Sequence, residues 1–548
     1  MRKSNLILIG LCLTLMTGEA YAQSSGSRGK SGRVIRPGAG GKQNVKRPNT
    51  GTARPSRPAR PATGRSGVTP ANQLTQALQL VRAGQHLQAA PQLYSLSRRP
   101  EFTSERMQIK YILGVSLMEL KLYQIAAFQF VDVVRRGDSK YVRQALEKLS
   151  IVADQLGDDT LLNYAISKVR VDEFPPNQKD IVYYRLGEIR QKNRNPTEAE
   201  QLFGRVTQNS RYYQAAQYRR GTALLEGNRP KEAIPIFEDI LNSRAGAPVT
   251  DLTKVQAQIA LARSYYQMQD WDRALEYYRD IPRDTEIWHD SLFESTWASL
   301  RAAKFRTTLS ALQSLHSAFY EDYFIPESLL VRGIVYLYIC KFDETDKTLN
   351  LFEKTYQPVL TSIDRYLQSV KDPIHYFNEI ERAYTIRRDR KPIMGLKVPY
   401  MVSRRILDEG DVKRSFQYMR SLNDERLKLE SYGGFARSPL GVYSLKVLSN
   451  RFKNTKIAVG EMVRAHLVNI RSDMRDFFEQ ASFIRYETIN GKKEILKKKI
   501  AGKENEAVDD NIDRDFYIQN GFEYWPFQGE YWIDEIGNYH YLGKQNCE

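Results

Sequence analysis

The stretch IVYYRLGEIRQKNRNPTEAEQLFGRVTQNSRYYQAAQYRRGTALLEGNRPKEAIPIFEDI, residues 181–240, contains one pattern twice. Gly187 is followed twelve positions later by Ala199 and then by Phe203. Gly221 is followed at the same distances by Ala233 and Phe237. Apolar positions recur at helical spacing, and Pro196 and Pro230 open the second helix of each pair. The same spacing extends in both directions through Gly114, Ala126 and Phe130, and through Ala262, Ala274 and Tyr278. In weaker form it continues through Thr296, Thr308 and Leu312, and through Gly333, Thr345 and Leu349. Tyr123, Trp271, Phe305 and Phe342 stand where the two prolines stand. Steps of 34 residues recur, with others lengthened to 37 and 41. Small residues let two antiparallel helices approach closely. Each pair can then bury its remaining apolar face only against a neighbour, so the pairs must stack into a solenoid.

These residues resemble the tetratricopeptide repeat family over about 71–358, with weaker units near 74–99 and 142–172. The resemblance implies an all-α solenoid whose first helices line a concave groove for protein partners. The register is read as placing Tyr111, Tyr184, Tyr218, Tyr266, Phe293 and Leu330 at equivalent groove positions, with Arg263, Arg301 and Lys192 nearby. Tyrosine combines contact area with a hydroxyl and little rotamer entropy, which suits an extended peptide or a partner helix. Some of these rings could equally pack against the next unit. Family members that clamp a terminal carboxylate use a groove asparagine. Here the corresponding residues are Val115, Glu188, Thr222, Arg263, Trp297 and Ile334, which argues against such a receptor.

Upstream of the array, Arg2 and Lys3 precede an apolar run from Leu6 to Met16 that ends at Ala20-Tyr21-Ala22. This reads as a secretory leader, 1–22, cleaved near Ala22, so a periplasmic location is expected with no transmembrane segment after cleavage. Residues 23–70 are rich in Gly, Ser, Pro and Arg, with eleven Lys or Arg and no acid between Arg28 and Arg65. They are expected to form a disordered basic linker, either a spacer or an arm touching anionic envelope polymers. Of the net charge of +18, only +6 remains after Pro70, so the basicity is no nucleic-acid signature of the body.

Downstream, 359–510 reads as a helical region with a long helix. Val463, Leu467, Ile470, Met474, Phe477, Ala481 and Ile484 alternate steps of four and three, the spacing of a coiled-coil seam. Its partner could be 399–430, folded back across Gly433-Gly434 with Val402, Ile406, Phe416 and Met419 inward, or a second molecule. The tail 511–548 is aromatic and acidic and must dock on the body or meet a partner. Cys340 and Cys547 survive leader removal and could form a disulfide or remain separate thiols. Leader, repeats and a Tyr-Trp-x-Asp-Glu-x-Gly-x-Tyr tail together resemble periplasmic repeat proteins of gliding deltaproteobacteria, which would imply a motility or envelope-assembly complex.

No catalytic constellation is readable. The histidines at 86, 289, 316, 375, 466 and 540 are scattered singly, without a second ligand at helical spacing. Glu327-Ser328 matches only a dipeptide of lytic transglycosylases and opens a repeat helix. The chain is therefore expected to be no enzyme and to need no metal or cofactor. A scaffold for protein partners is the leading expectation, and a cell-wall binding or accessory protein the alternative.

Overall fold

The computed structural model describes residues 70–136, 141–158, 160–167, 179–243, 251–285, 287–500 and 529–541. The leader and the basic linker to residue 69 lie outside them. Among the described residues, eight helix pairs follow one another: α1 (Pro70–Arg82) with α2 (His86–Ser97), α3 (Arg106–Glu119) with α4 (Tyr123–Arg135), α5 (Val142–Leu156) with α6 (Thr160–Ile166), α7 (Lys179–Lys192) with α8 (Pro196–Gly204), α9 (Tyr213–Glu226) with α10 (Pro230–Asn242), α11 (Asp251–Gln267) with α12 (Trp271–Arg279), α13 (Trp288–Arg301) with α14 (Phe305–Leu315), and α15 (Pro326–Tyr338) with α16 (Phe342–Ser369).

One turn joins the helices of every pair. Seven residues after each small residue, at Gly84, Lys121, Gly157, Arg194, Asn228, Gln269, Ala303 and Cys340, the backbone enters the left-handed region, with φ between 55° and 72°. In seven of these eight turns the next amide bonds back five residues, as Leu122 N does to Leu117 O at 2.8 Å and Lys341 N to Tyr336 O at 2.9 Å. That bond satisfies a carbonyl which the ended helix leaves orphaned. Asn195 and Asp270 then cap α8 and α12 by accepting from Glu198 N and Arg273 N.

The small residues are required by ring packing inside a pair. A Cβ at Gly114, Gly187 or Gly221 would lie 2.5–2.6 Å from the ring of Phe130, Phe203 or Phe237. The aromatic therefore seats on its own unit's glycine.

Five further helices follow the pairs: α17 (Pro373–Asp389), α18 (Tyr400–Asp408), α19 (Gly410–Ser431), the one-turn α20 (Gly433–Ala436) and α21 (Pro439–Ile500). The boundary expected at 358/359 falls inside α16, which continues unbroken through Pro358. Buried Tyr356, Val359, Leu360 and Ile363 anchor both sides of that proline, so tertiary packing overrides its helix-breaking tendency. At 62 residues, α21 spans roughly 90 Å. Its seam closes within the chain: Val463, Leu467, Met474, Ala481 and Ile484 share one buried cluster with residues of α15, α16, α17, α18 and α19. A Cβ at Gly460 would overlap the Pro373 carbonyl, so glycine permits the closest backbone approach there.

The N-terminal end of α21 returns to the first units. Tyr443 stacks on Tyr94 of α2 at 5.6 Å, and the Arg451 guanidinium lies 5.0 Å from the Phe128 ring of α4. Near its other end, Lys492 pairs with Asp343 and Asp346 of α16, each at 2.7 Å. The C-terminal helices thus brace both ends of the array.

Candidate protein-binding groove

The tyrosine stripe divides when the side chains are placed. Tyr111, Tyr184 and Tyr218 tilt against Phe130, Phe203 and Phe237 with ring centroids 6.1, 5.9 and 6.0 Å apart. Tyr111 and Tyr184 also stack on Tyr141 and Tyr212 of the following units at 5.6 and 5.4 Å. These rings link units as well as line the floor. Burial, with a smaller contribution from Glu188, pushes the Tyr184 hydroxyl up to about 12, so it remains a neutral donor.

Tyr266 departs from the expected register. The residue three before Ala262 is the buried Ile259, whereas Tyr266 lies four after Ala262, half-buried and edge-on to Trp271 at 5.1 Å. Phe293 and Leu330 occupy the expected register but are core. With Trp297 and Ile334 they join the cluster that holds Val402 and Val463, so the C-terminal helices cover the last units. Arg301 is half-buried and Lys192 exposed.

A charge ladder crosses successive first helices, and sequence reasoning had not found it. Asp154 of α5 accepts from Arg185 of α7, from Arg211 at 2.9 Å and from the Tyr212 hydroxyl at 2.6 Å. Arg185 also pairs with Glu188 at 2.8 Å, and Arg219 of α9 approaches Glu188 at 3.8 Å. Arg263 forms a two-pronged bond to Glu294 of α13 at 2.6 and 2.8 Å, and Glu294 accepts from the Tyr278 hydroxyl at 3.0 Å. The rule behind it is legible in retrospect: in two of these steps the residue two before one small residue meets the residue one after the preceding small residue. Arg263 therefore acts as a fastener between units as well as a groove cation.

One pair invites a catalytic reading. His316 Nε2 lies 2.9 Å from the Ser328 hydroxyl, and Arg332 reaches His316 Nδ1 at 3.2 Å. A guanidinium can only donate, so Nδ1 accepts and Nε2 carries the proton. The ring then donates to Ser328, whose own proton goes to Ile325 O at 2.7 Å. Burial and Arg332 push His316 down to about 3, so the imidazole cannot serve as a base that activates this serine. No group of three or more His, Cys, Asp or Glu placed to hold a metal ion occurs among the described residues. Nor is any described helix long and apolar enough to cross a membrane.

Cys340 is disulfide-bonded, while Cys547 lies outside the described residues. Of the tail, residues 529–541 dock on the seventh and eighth pairs, with Ile536 buried in the cluster that contains Trp288.

Two tetratricopeptide repeat models match the chain, one at residues 184–248 and the other at 258–284. Over these residues the chain is similar to the tetratricopeptide repeat family. No curated protein matches it. Among solved structures, a tetratricopeptide repeat protein from Parabacteroides merdae aligns at 13% identity over 53% of this chain and 94% of its own, with a TM-score of 0.23. The apo form of RapI aligns at 10% over 65% and 98%, with a TM-score of 0.30. A Rap protein complexed with Competence and Sporulation Factor aligns at 10% over 72% and 100%, with a TM-score of 0.26.

Proposed function

We propose that this tetratricopeptide protein is an exported scaffold that holds protein partners in the groove of its middle units. It would work in the periplasm as part of an envelope-associated complex serving motility or envelope assembly. One observation carries the groove reading. The apolar clusters around 199–281 contain no residue of 373–500, whereas the clusters of both array ends do. Tyr184, Tyr218 and Tyr266 are half-buried there, beside exposed Arg263 and Gln267. A floor of amphipathic rings with charges already paired suits an extended peptide or a helix, because binding it leaves no floor charge unpartnered.

Export is supported by the leader pattern of 1–22, and envelope contact by the acid-free basic stretch Arg28–Arg65. The test is crosslinking with mass spectrometry in the native host, using the wild type and a Tyr218→Ala/Tyr266→Ala variant whose fold is checked by circular dichroism. Crosslinks from partner proteins to 184–267 that disappear in the variant are expected. Unchanged partners, together with lost sedimentation on purified cell wall, would replace this reading with the cell-wall binding one.

A further inference from the structure

The docked tail is held through its backbone. Gly537 N donates to the Ser314 hydroxyl and Tyr541 N to the Ser310 hydroxyl, each at 2.8 Å. The two serines stand one helical turn apart on α14, and Ser310 directs its own proton to Arg306 O at 2.8 Å, which leaves its oxygen free to accept. Tail numbering rises as helix numbering falls, so the segment runs antiparallel to α14. Arg283 donates to Asn538 Oδ1 at 2.6 Å and Gln313 to the Tyr531 hydroxyl at 3.1 Å. The Tyr541 ring lies 5.9 Å from Lys341 Nζ and edge-on to Tyr336 at 6.5 Å.

Ile536 is fully sheltered, but Trp532 and Ile533 remain 59% and 74% exposed. Ordering each residue costs about 1–2 kcal/mol, which the non-covalent contacts must offset, so a covalent tie would add directly to the hold on the tail. Beside the point where the described tail ends stands Cys340, which is disulfide-bonded. The chain has two other cysteines, and Cys12 belongs to the expected leader. Cys547 follows Tyr541 by six residues, a reach of up to about 20 Å from a site already against Lys341.

We propose that Cys340 pairs with Cys547, and that this bond makes 529–541 a covalent strap over the seventh and eighth units that a dithiol reductant releases. The donor supplies two electrons and two protons: the S–S bond breaks, both cysteines become thiols, and the donor closes its own disulfide. Closed, the strap holds Ile536 beside Trp288 and presents Trp532 and Ile533 at a fixed place. Opened, it is held on α14 by its non-covalent contacts alone and exchanges on and off that helix. The proposal is independent of the groove, so failure of one leaves the other standing.

Peptide mapping of the purified full chain without reductant should recover Cys340 linked to Cys547 within one molecule. Hydrogen exchange should then show protection at Gly537 and Tyr541 falling roughly tenfold or more after dithiothreitol, and equally in Cys547→Ser, while 342–369 keeps its protection. Adding Ser310→Ala and Ser314→Ala to Cys547→Ser should remove what protection remains. Two alkylatable thiols without reductant, a bond between two chains, or tail protection indifferent to reduction would each overturn the strap.

Discussion

The middle units and the end units follow the same repeat grammar but are held differently. Around Ala199, Phe203, Ala233 and Phe237, the buried side chains belong to the repeats themselves, with Ile536 of the docked tail as the one addition. At the ends, α21 and its partner helices contribute much of the cover. The most specific brace is Glu425. Its carboxyl group accepts from the first amides of α4, Gln124 N at 2.7 Å and Ile125 N at 3.2 Å, while the Tyr418 hydroxyl donates to the Gln124 side chain at 2.6 Å. The Leu122 side chain cannot cap that helix, so its cap comes from a residue three hundred positions away. A simple solenoid is held unit by unit. Here the described C-terminal helices tie the ends to each other and leave the middle to its neighbours, which is where the proposed groove lies.

The largest test of this contrast is Phe237→Ala. It should cost about 3–5 kcal/mol and open 213–278 in hydrogen exchange while 342–389 stays protected. Loss of protection along the whole array would erase the distinction between the two regions. Next in size, Glu425→Ala should cost about 2–3 kcal/mol, because it strands two buried amides, and it should expose the first units selectively.

The same carboxyl sharpens the contrast through pH. Burial pushes Glu425 up to about 8, although the two amides oppose this. Between the ordinary carboxyl value of 4.5 and about 8, the folded chain keeps a proton that the unfolded chain has released. The brace is therefore strongest below about 4.5 and weakens as pH rises toward 8, a slope that Glu425→Gln should flatten in denaturant midpoints. The smallest effect is expected at Ala303, whose φ of 55° strains a side chain that has a Cβ. Ala303→Gly should stabilise by roughly 0.5–1 kcal/mol in thermal melts. A loss there would mean that the shared turn geometry does not limit the array.

The solenoid was legible because its cause is local. The glycine-to-phenylalanine spacing is a contact within one helix pair, so Gly187 and Phe203 announce it in the chain itself. The groove was legible only in part. Periodicity brought Tyr184 and Tyr218 to one face, but it could not tell that Phe293 would be covered by a helix beginning at Pro439, or that Arg263 would be taken by Glu294. The turn position occupied by Lys121, Asn228 and Cys340 could have been found, since it falls seven residues after each small residue.

By itself the amino-acid sequence determined the helices, their pairing and the need to stack, because these follow from residue size and spacing within about forty positions. Only the tertiary structure decided which units the described C-terminal helices cover, where residues 529–541 rest and which carboxyl group caps α4. Those outcomes depend on residues hundreds of positions apart meeting, and no local periodicity encodes which distant partner a buried group will find.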